Sequence, residues 1–428
     1  MMTMKRYTAA SALLCLLAAC GGGGGGSSPT PATPIVSAPN TVPTISSSSS
    51  VNVSENALGV IYTLSASDSD GTVARLEMLS NGDSSLFSFN GSNGELSLGN
   101  RLRFDAPSDS DADNVYDLEF EVEDNDGAIT SFQLAITVEE AMLKAGLPPS
   151  GNFELIDWKL DLPVDDNGNF SGASGTVSEN TLANGYESAY FFTGPDGGIV
   201  MRAPVIGATT PNSSFTRTEL REMLRRGNTS ISTRGAGNAP NGNNWALSSQ
   251  PATAQTNAGG VDGTLRVTLA VNIVTTTGTN SHVGRMIIGQ IHAKSDEPIR
   301  LYYRKLPGNS RGSVYAIHEI SGGADVRYEI VGDSSNSASN PSNGFMLDEK
   351  FTYEIIAIGN LLTVDVFDEV GALIGTTDID MSASGYDVAD DFMYFKAGLY
   401  HVNNSADTNE VAQVTLYELT NTHSGYPF

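Results

Sequence analysis

Cysteine is nearly missing from this chain. Its two copies, Cys15 and Cys20, both lie in the first twenty residues. The rest can form neither a disulfide nor a cysteine-ligated metal site, and its stability must come from buried apolar cores. Basic residues are also few: 23 Lys and Arg stand against 49 Asp and Glu, a formal charge of −26. That balance argues against a nucleic-acid partner, whose binding rests on neutralised phosphates. No apolar stretch approaches the ~20 residues of a membrane-spanning helix, and long helical periodicities are missing as well. There is no H-E-x-x-H or phosphate loop.

What is present begins with a leader. Lys5 and Arg6 precede the apolar run Ala9 to Ala19, and Leu17-Ala18-Ala19-Cys20 places small residues before a cysteine. This resembles a bacterial lipoprotein signal over residues 1–20, which implies acylation of Cys20. The expected location is the outer membrane or cell surface of a Gram-negative bacterium, or secretion, with membrane contact through the lipid alone. Residues 21–43, rich in Gly, Ser and Pro, read as a flexible tether.

From 44 to 140 apolar and polar residues alternate in short runs between Asp, Asn and Gly turns, as in Tyr116 to Val122 and Phe132 to Val138. That pattern predicts a smaller all-β sandwich. Ser54-Glu55-Asn56, Asp68-Ser69-Asp70-Gly71 and Glu123-Asp124-Asn125-Asp126-Gly127 make it resemble a cadherin-like repeat. Glu55, Asp68, Asp70 and Asp124 are hard oxygen donors of the kind Ca²⁺ takes; the same residues also make turns. The expected role is a spacer or carbohydrate-binding module.

After a linker at 141–150, residues 151–428 show strand after strand with polar loops, a pattern that predicts a large sandwich of two curved antiparallel sheets. Asp348 to Thr352 is among the few stretches that could hold a short helix. Ten of this part's 17 cations fall within 215–226 and 285–311. Such clustering suits an anion groove, although a solvated salt-bridge face produces it too.

Strand alternation sorts three motifs by face. Arg217, Glu219 and Arg221 share one side of their strand. Gln290 and His292 share a side, with Ile288 continuing that row and Ile291 facing away. Tyr394, Lys396, Gly398 and Tyr400 form a third row, with Phe395, Ala397 and Leu399 as core. The motifs are expected on neighbouring strands of one sheet.

Together, Arg217-Thr218-Glu219-Leu220-Arg221-Glu222, Gln290-Ile291-His292 and Tyr394-Phe395-Lys396-Ala397-Gly398-Leu399-Tyr400 resemble the signatures of polysaccharide lyase family 7, the alginate lyases. Trp158 to Pro163 looks like the family's first strand. The resemblance spans about 150–428. It implies an all-β fold with a C-terminal β-jelly roll of concanavalin-like type, cleavage of alginate or a related polyuronate by β-elimination, and no required cofactor or metal. It further implies that Arg217 and Gln290 bind the uronate carboxylate, that His292 is neutraliser or base, and that Tyr400 is the acid. Glu219, Arg221, Lys396, Arg300, Tyr302 and Arg304 are expected around the substrate, and a monomer is expected. The family often has an amide where Val402 stands, which puts one substrate contact in doubt.

The main alternative is a non-catalytic lectin-like protein on the same fold, and retention of His292 and Tyr400 favours catalysis. A glycoside hydrolase needs two carboxylates flanking the bond, and Glu219 and Glu222 lie on opposite faces of one strand. An adhesin would leave the three motifs unexplained.

Overall fold

The computed structural model describes residues 39–426 apart from 56, 58, 100, 101, 103, 105, 106 and 141. The leader, Cys20 and most of the tether lie outside the described residues.

Two apolar cores organise the chain. The first belongs to a small sandwich in which Ser50–Ser54, Ile129–Glu139, Val115–Asp124 and Val73–Met78 form one sheet and Gly59–Thr63, Glu95–Leu98 and Phe87–Asn90 the other. Along Val115–Asp124 the alternation is strict: Tyr116, Leu118, Phe120 and Val122 are buried between the sheets. Of the carboxylates expected to meet calcium, Asp124 is committed to its own turn, accepting from the Asp126 and Ala128 amides at 2.8 and 2.9 Å and from Asn40 at 2.9 Å. Asp70 accepts from Thr41, and Glu55 from the Phe104 amide at 3.2 Å.

The second core fills a larger sandwich. One sheet runs Thr176–Val177, Trp158–Asp161, Arg217–Glu222, Tyr394–Tyr400, Arg285–His292, Ile299–Arg304, Arg311–Glu319, Asp325–Val331. The opposing sheet is built around the two 14-residue strands Gly260–Ile273 and Val411–Ser424. Leu220, Phe395, Leu399, Ile288 and Ile291 point inward from the first sheet against residues such as Leu265, Val267, Tyr353 and Ile355 of the second. Burial of this alternating set drives the layers together. The first sheet's other face forms the groove. No helix of the described residues is long and apolar enough to cross a membrane.

Two local expectations change. Asp348 is a turn residue with φ 64°, and the strand Lys350–Ile358 follows at once, so no helix forms at 348–352. Short helices occur instead at Glu179–Ala183 and Ala252–Asn257. In Arg285–His292 a bulge between Ile287 and Gly289 shifts the register against both neighbouring strands. Ile288 therefore joins the core rather than the row of Gln290 and His292, while Ile287 faces the groove. The reason lies across the core: the Tyr353 hydroxyl donates to the Ile288 carbonyl at 2.7 Å. Tyr353 comes so near that a Cβ on Gly289 would sit 2.6 Å from its oxygen.

Candidate active site

The three motif strands are hydrogen-bonded neighbours, with Tyr394–Tyr400 in the middle. Arg217 lies opposite Tyr400, Glu219 opposite Gly398, and Arg221 opposite Lys396. From the other side Gln290 lies opposite Lys396, and His292 opposite Tyr394. Gly398 takes φ 120°, and a Cβ there would press on the core residue Met201 at 2.5 Å, so the position requires glycine.

Glu219, 1% exposed, is the hub. One oxygen accepts from Arg217 at 2.7 Å and pairs with the Lys396 ammonium; the other accepts from the Gln290 amide. Burying one carboxylate among three donors holds their side chains in single rotamers. Burial presses the Lys396 ammonium below its usual range, helped by Arg217 and opposed by Glu219 and Asp161. Asp161, from the adjoining strand, would be raised by burial, but Lys159, Lys396 and Arg217 outweigh that and hold it low.

The groove has two distinct ends. At one, the His292 ring stacks on Tyr394, centroids 5.0 Å apart and planes 12° from parallel. His292 Nδ1 contacts the Ala293 carbonyl, which assigns the proton to that nitrogen and leaves a lone pair on Nε2. Nε2 lies 3.3 Å from Glu297 Oε1. Burial, then the cations Lys396, Arg221 and Arg217, bring His292 down to about 3, so it is neutral near pH 7. Burial and the neighbouring Glu319 carboxylate push Glu297 up to about 7. Glu297 therefore takes up a proton near neutrality beside Glu319. Burial also lifts Tyr394 to about 12, keeping its phenol protonated. The Arg221 guanidinium carbon sits 3.9 Å from the Tyr394 ring centroid, and its Nε, buried from solvent, has no hydrogen-bond partner.

At the other end more of the polar groups are engaged, although the buried Nε of Arg217, like that of Arg221, has no hydrogen-bond partner. Arg217 donates to Ser213 at 3.0 Å as well as to Glu219, and lies 3.8 Å over the Tyr400 ring. Tyr400 shares a 2.7 Å hydrogen bond with Ser213 Oγ. Around them Ile287, Tyr302, Tyr315, Ile317 and Val402 form a small apolar cluster with Phe215, in which Tyr302 and Tyr315 stack at 4.9 Å and 2°.

The structure thus gathers Arg217, Glu219, Arg221, Gln290, His292 and Lys396, but it separates His292 from Tyr400. His292 pairs with Tyr394, whereas Tyr400, six positions along the same strand, pairs with Ile287 and Arg217. The phenol beside His292 is Tyr394, which the sequence reading placed in the row without a role. Arg304 also departs from expectation: its guanidinium donates to the carbonyls of Val283, Ser334 and Asn280, pinning loops. Arg300 stands opposite Gln290 but is held by Asp325. Val402 packs into the apolar cluster, and the following Asn403 donates to Thr275, Thr277 and His282 to brace a loop. Glu297 and Ser213 were missed. Glu297 had a readable signal, since Ile291 pairs with Ile299 and the hairpin between them must fold back beside His292.

This arrangement can seat an anionic chain, neutralise a carboxylate with Arg221, withdraw a proton with a neutral imidazole, and donate one from a phenol.

A family model described as alginate lyase matches residues 153–423. An alginate lyase of Klebsiella pneumoniae is 48% identical over 292 residues, 65% of this chain and 93% of that protein. The crystal structure of the alginate lyase from Klebsiella pneumoniae superposes with a TM-score of 0.62 at 45% identity, covering 65% of this chain and 99% of that one. Alginate lyase A1-II′, a member of polysaccharide lyase family-7, aligns at 25% identity with a TM-score of 0.46 over 64% of this chain and 98% of its own.

Proposed function

The chain belongs to the alginate lyase family, polysaccharide lyase family 7, and from that premise we propose how its groove performs the elimination and where the protein works. It cleaves the 1,4-linked uronate chain of alginate, leaving a 4,5-unsaturated sugar at the new end. The proton at C5 is a weak acid while the adjacent carboxylate is charged. Arg221, whose fork is not committed to Glu219, and the Gln290 amide neutralise that carboxylate and stabilise the enolate-like charge that develops on it. His292 Nε2 takes the C5 proton. The C5 electrons form the C4=C5 double bond as the C4–O bond breaks, and Tyr394 protonates the departing oxygen. Glu219 orients Arg217, Gln290 and Lys396. No step calls for a cofactor.

The stacking of His292 on Tyr394 at the bottom of a cationic groove carries this reading. A second reading keeps Tyr400 as the acid, favoured by its less buried position and the guanidinium over its ring, with His292 or Tyr400 itself as the base. Arg300 and Tyr302 contact neighbouring sugars, and Arg304 acts only by fixing loops.

The remaining assignments concern context. Residues 44–140 are a cadherin-like spacer or carbohydrate-binding module, and the protein is a monomer lipidated at Cys20 in the outer membrane or at the cell surface. Radiolabelled palmitate incorporation lost in Cys20→Ala tests the anchor. For the enzyme, purified protein is incubated with mannuronate-rich and guluronate-rich alginate, and the ultraviolet absorbance of the conjugated unsaturated uronate is followed. No rise with either polymer overturns the lyase reading.

A further inference from the structure

Among the described residues four arginines have an Nε that is buried from solvent without a hydrogen-bond partner. Arg217, Arg221 and Arg300 belong to the groove already described; the fourth is Arg285. It lies two residues before Ile287 on the groove face, because Met286 and Ile288 point into the core. Its guanidinium carbon is 5.4 Å from the Tyr302 ring centroid, and that of Arg327 is 5.5 Å from the Tyr315 ring centroid. The stacked Tyr302–Tyr315 pair thus carries one guanidinium against each ring. Neither arginine has a carboxylate partner among the described residues, and Arg327 donates to Ser334 Oγ at 3.3 Å. On a chain with 49 acidic residues against 23 basic ones such cations are exceptional; Arg225, Arg226, Arg266 and Arg311 each pair with a Glu or Asp. Glu329, opposite Tyr315 in the register, is itself taken up by the Ser334 amide at 2.9 Å and by the Ser334 hydroxyl. Burial lowers the nearby Arg304 guanidinium, Tyr315 opposes, and Arg285 and Arg327 lower it further, so the three cations repel one another. Like charges gathered in this way are costly until an anion meets them.

The strand register says which anion. Lys396, Gln290, Arg300, Ile317 and Arg327 stand opposite one another in turn across five strands. With strands about 4.8 Å apart, Arg327 is three strands or roughly 14 Å from Gln290, about the reach of three sugar units. We propose that Arg285 and Arg327 form a distal subsite that grips the carboxylate of a uronate several sugars from the bond being cleaved, so that the enzyme favours long chains. This deepens the lyase reading and rests on it. Two forked guanidiniums suit a carboxylate, and the tyrosine rings beneath hold the forks in place through cation–π contact.

The test uses the full chain, with Arg285→Gln/Arg327→Gln and Arg327→Gln, and steady-state rates on polymeric alginate and on the shortest oligouronate that wild type cleaves. Expected in the double variant is a KM for polymer raised by about tenfold or more, the worth of hydrogen bonds to a charged group, with kcat within a few-fold and both constants for the short substrate unchanged. Added salt should raise the polymer KM of wild type more than that of the double variant. Cleavage by wild type secures the lyase reading by itself, and its absence overturns that reading and the subsite together. With wild type active, an unchanged polymer KM overturns the subsite alone. So does an equal rise for both substrates with a lowered melting temperature, the result if the arginines serve only to cover the tyrosines. Should the double variant fold poorly, Arg327→Gln at its exposed position is read by the same criteria.

Discussion

The two ends of the groove differ in what their polar groups have left to give. Around Tyr400 much of the hydrogen-bonding capacity is used internally: Arg217 is divided between Glu219 and Ser213, leaving its buried Nε without a partner, Tyr400 is bonded to Ser213, and Tyr302 lies flat on Tyr315. Around Tyr394 it is not. Arg221 has a ring beneath it but no carboxylate partner, His292 keeps a proton-free nitrogen, and Glu297 titrates near neutrality. Satisfied groups hold a shape, whereas unsatisfied ones hold a substrate. One end is built as an apolar and aromatic platform for sugar faces and the other as the place where protons move.

The strongest way to break that contrast is to remove each phenol in turn. Tyr394→Phe should lower kcat by about 10²–10⁴-fold, the usual worth of a positioned general acid, while Tyr400→Phe should leave kcat within a few-fold and act mainly on KM. Steady-state rates of unsaturated-product formation check this, and the reverse ranking would move the chemistry to the Tyr400 end. Arg221→Ala should come next, with kcat/KM down about 10²–10³-fold, as for loss of a donor to developing charge. Arg217→Ala would instead leave Glu219 to Lys396 and Gln290 alone and should be accompanied by a lower melting temperature, measured by calorimetry.

A smaller effect concerns the proton that Glu297 takes up. Below about pH 7 the Glu297 carboxyl is protonated and engages His292 Nε2; above it the carboxylate releases the lone pair. The free enzyme's kcat/KM should therefore rise with pH through about 7. In Glu297→Gln an amide faces Nε2 at every pH, so the rise should disappear and activity should stay near its low-pH level. A profile unchanged by the substitution would separate Glu297 from the base. Smallest of all, Ser213→Ala should raise KM by a few-fold with kcat unaltered, since it loosens Tyr400 and Arg217 without touching the His292 end; Michaelis–Menten fits on a single oligosaccharide check it.

Most of the fold and part of the site were legible in the sequence. Period-two alternation placed Leu220, Phe395, Ala397 and Leu399 in the core and Arg217, Glu219, Arg221, Tyr394 and Lys396 on the groove face, because the pleat leaves each strand residue only two directions. The failures were of another kind. Ile288 was assigned to the wrong face because a bulge inverts alternation partway along the strand, and its cause, Tyr353, approaches from the other sheet. Arg304 was read as a substrate contact because a guanidinium in a cationic stretch looks the same whether it meets a sugar or three loop carbonyls.

Tyr394 and Tyr400 show the division most clearly. The residues by themselves determined that both tyrosines share a face with Lys396, that the chain has the groups for β-elimination, and that cores rather than disulfides hold it together. Which tyrosine stands beside His292 was decided by the tertiary structure. Alternation fixes direction within a strand, but register between strands separated by about a hundred residues is set by the bulge at Ile287–Gly289 and by packing against the opposite sheet, and neither has a local signature in the chain.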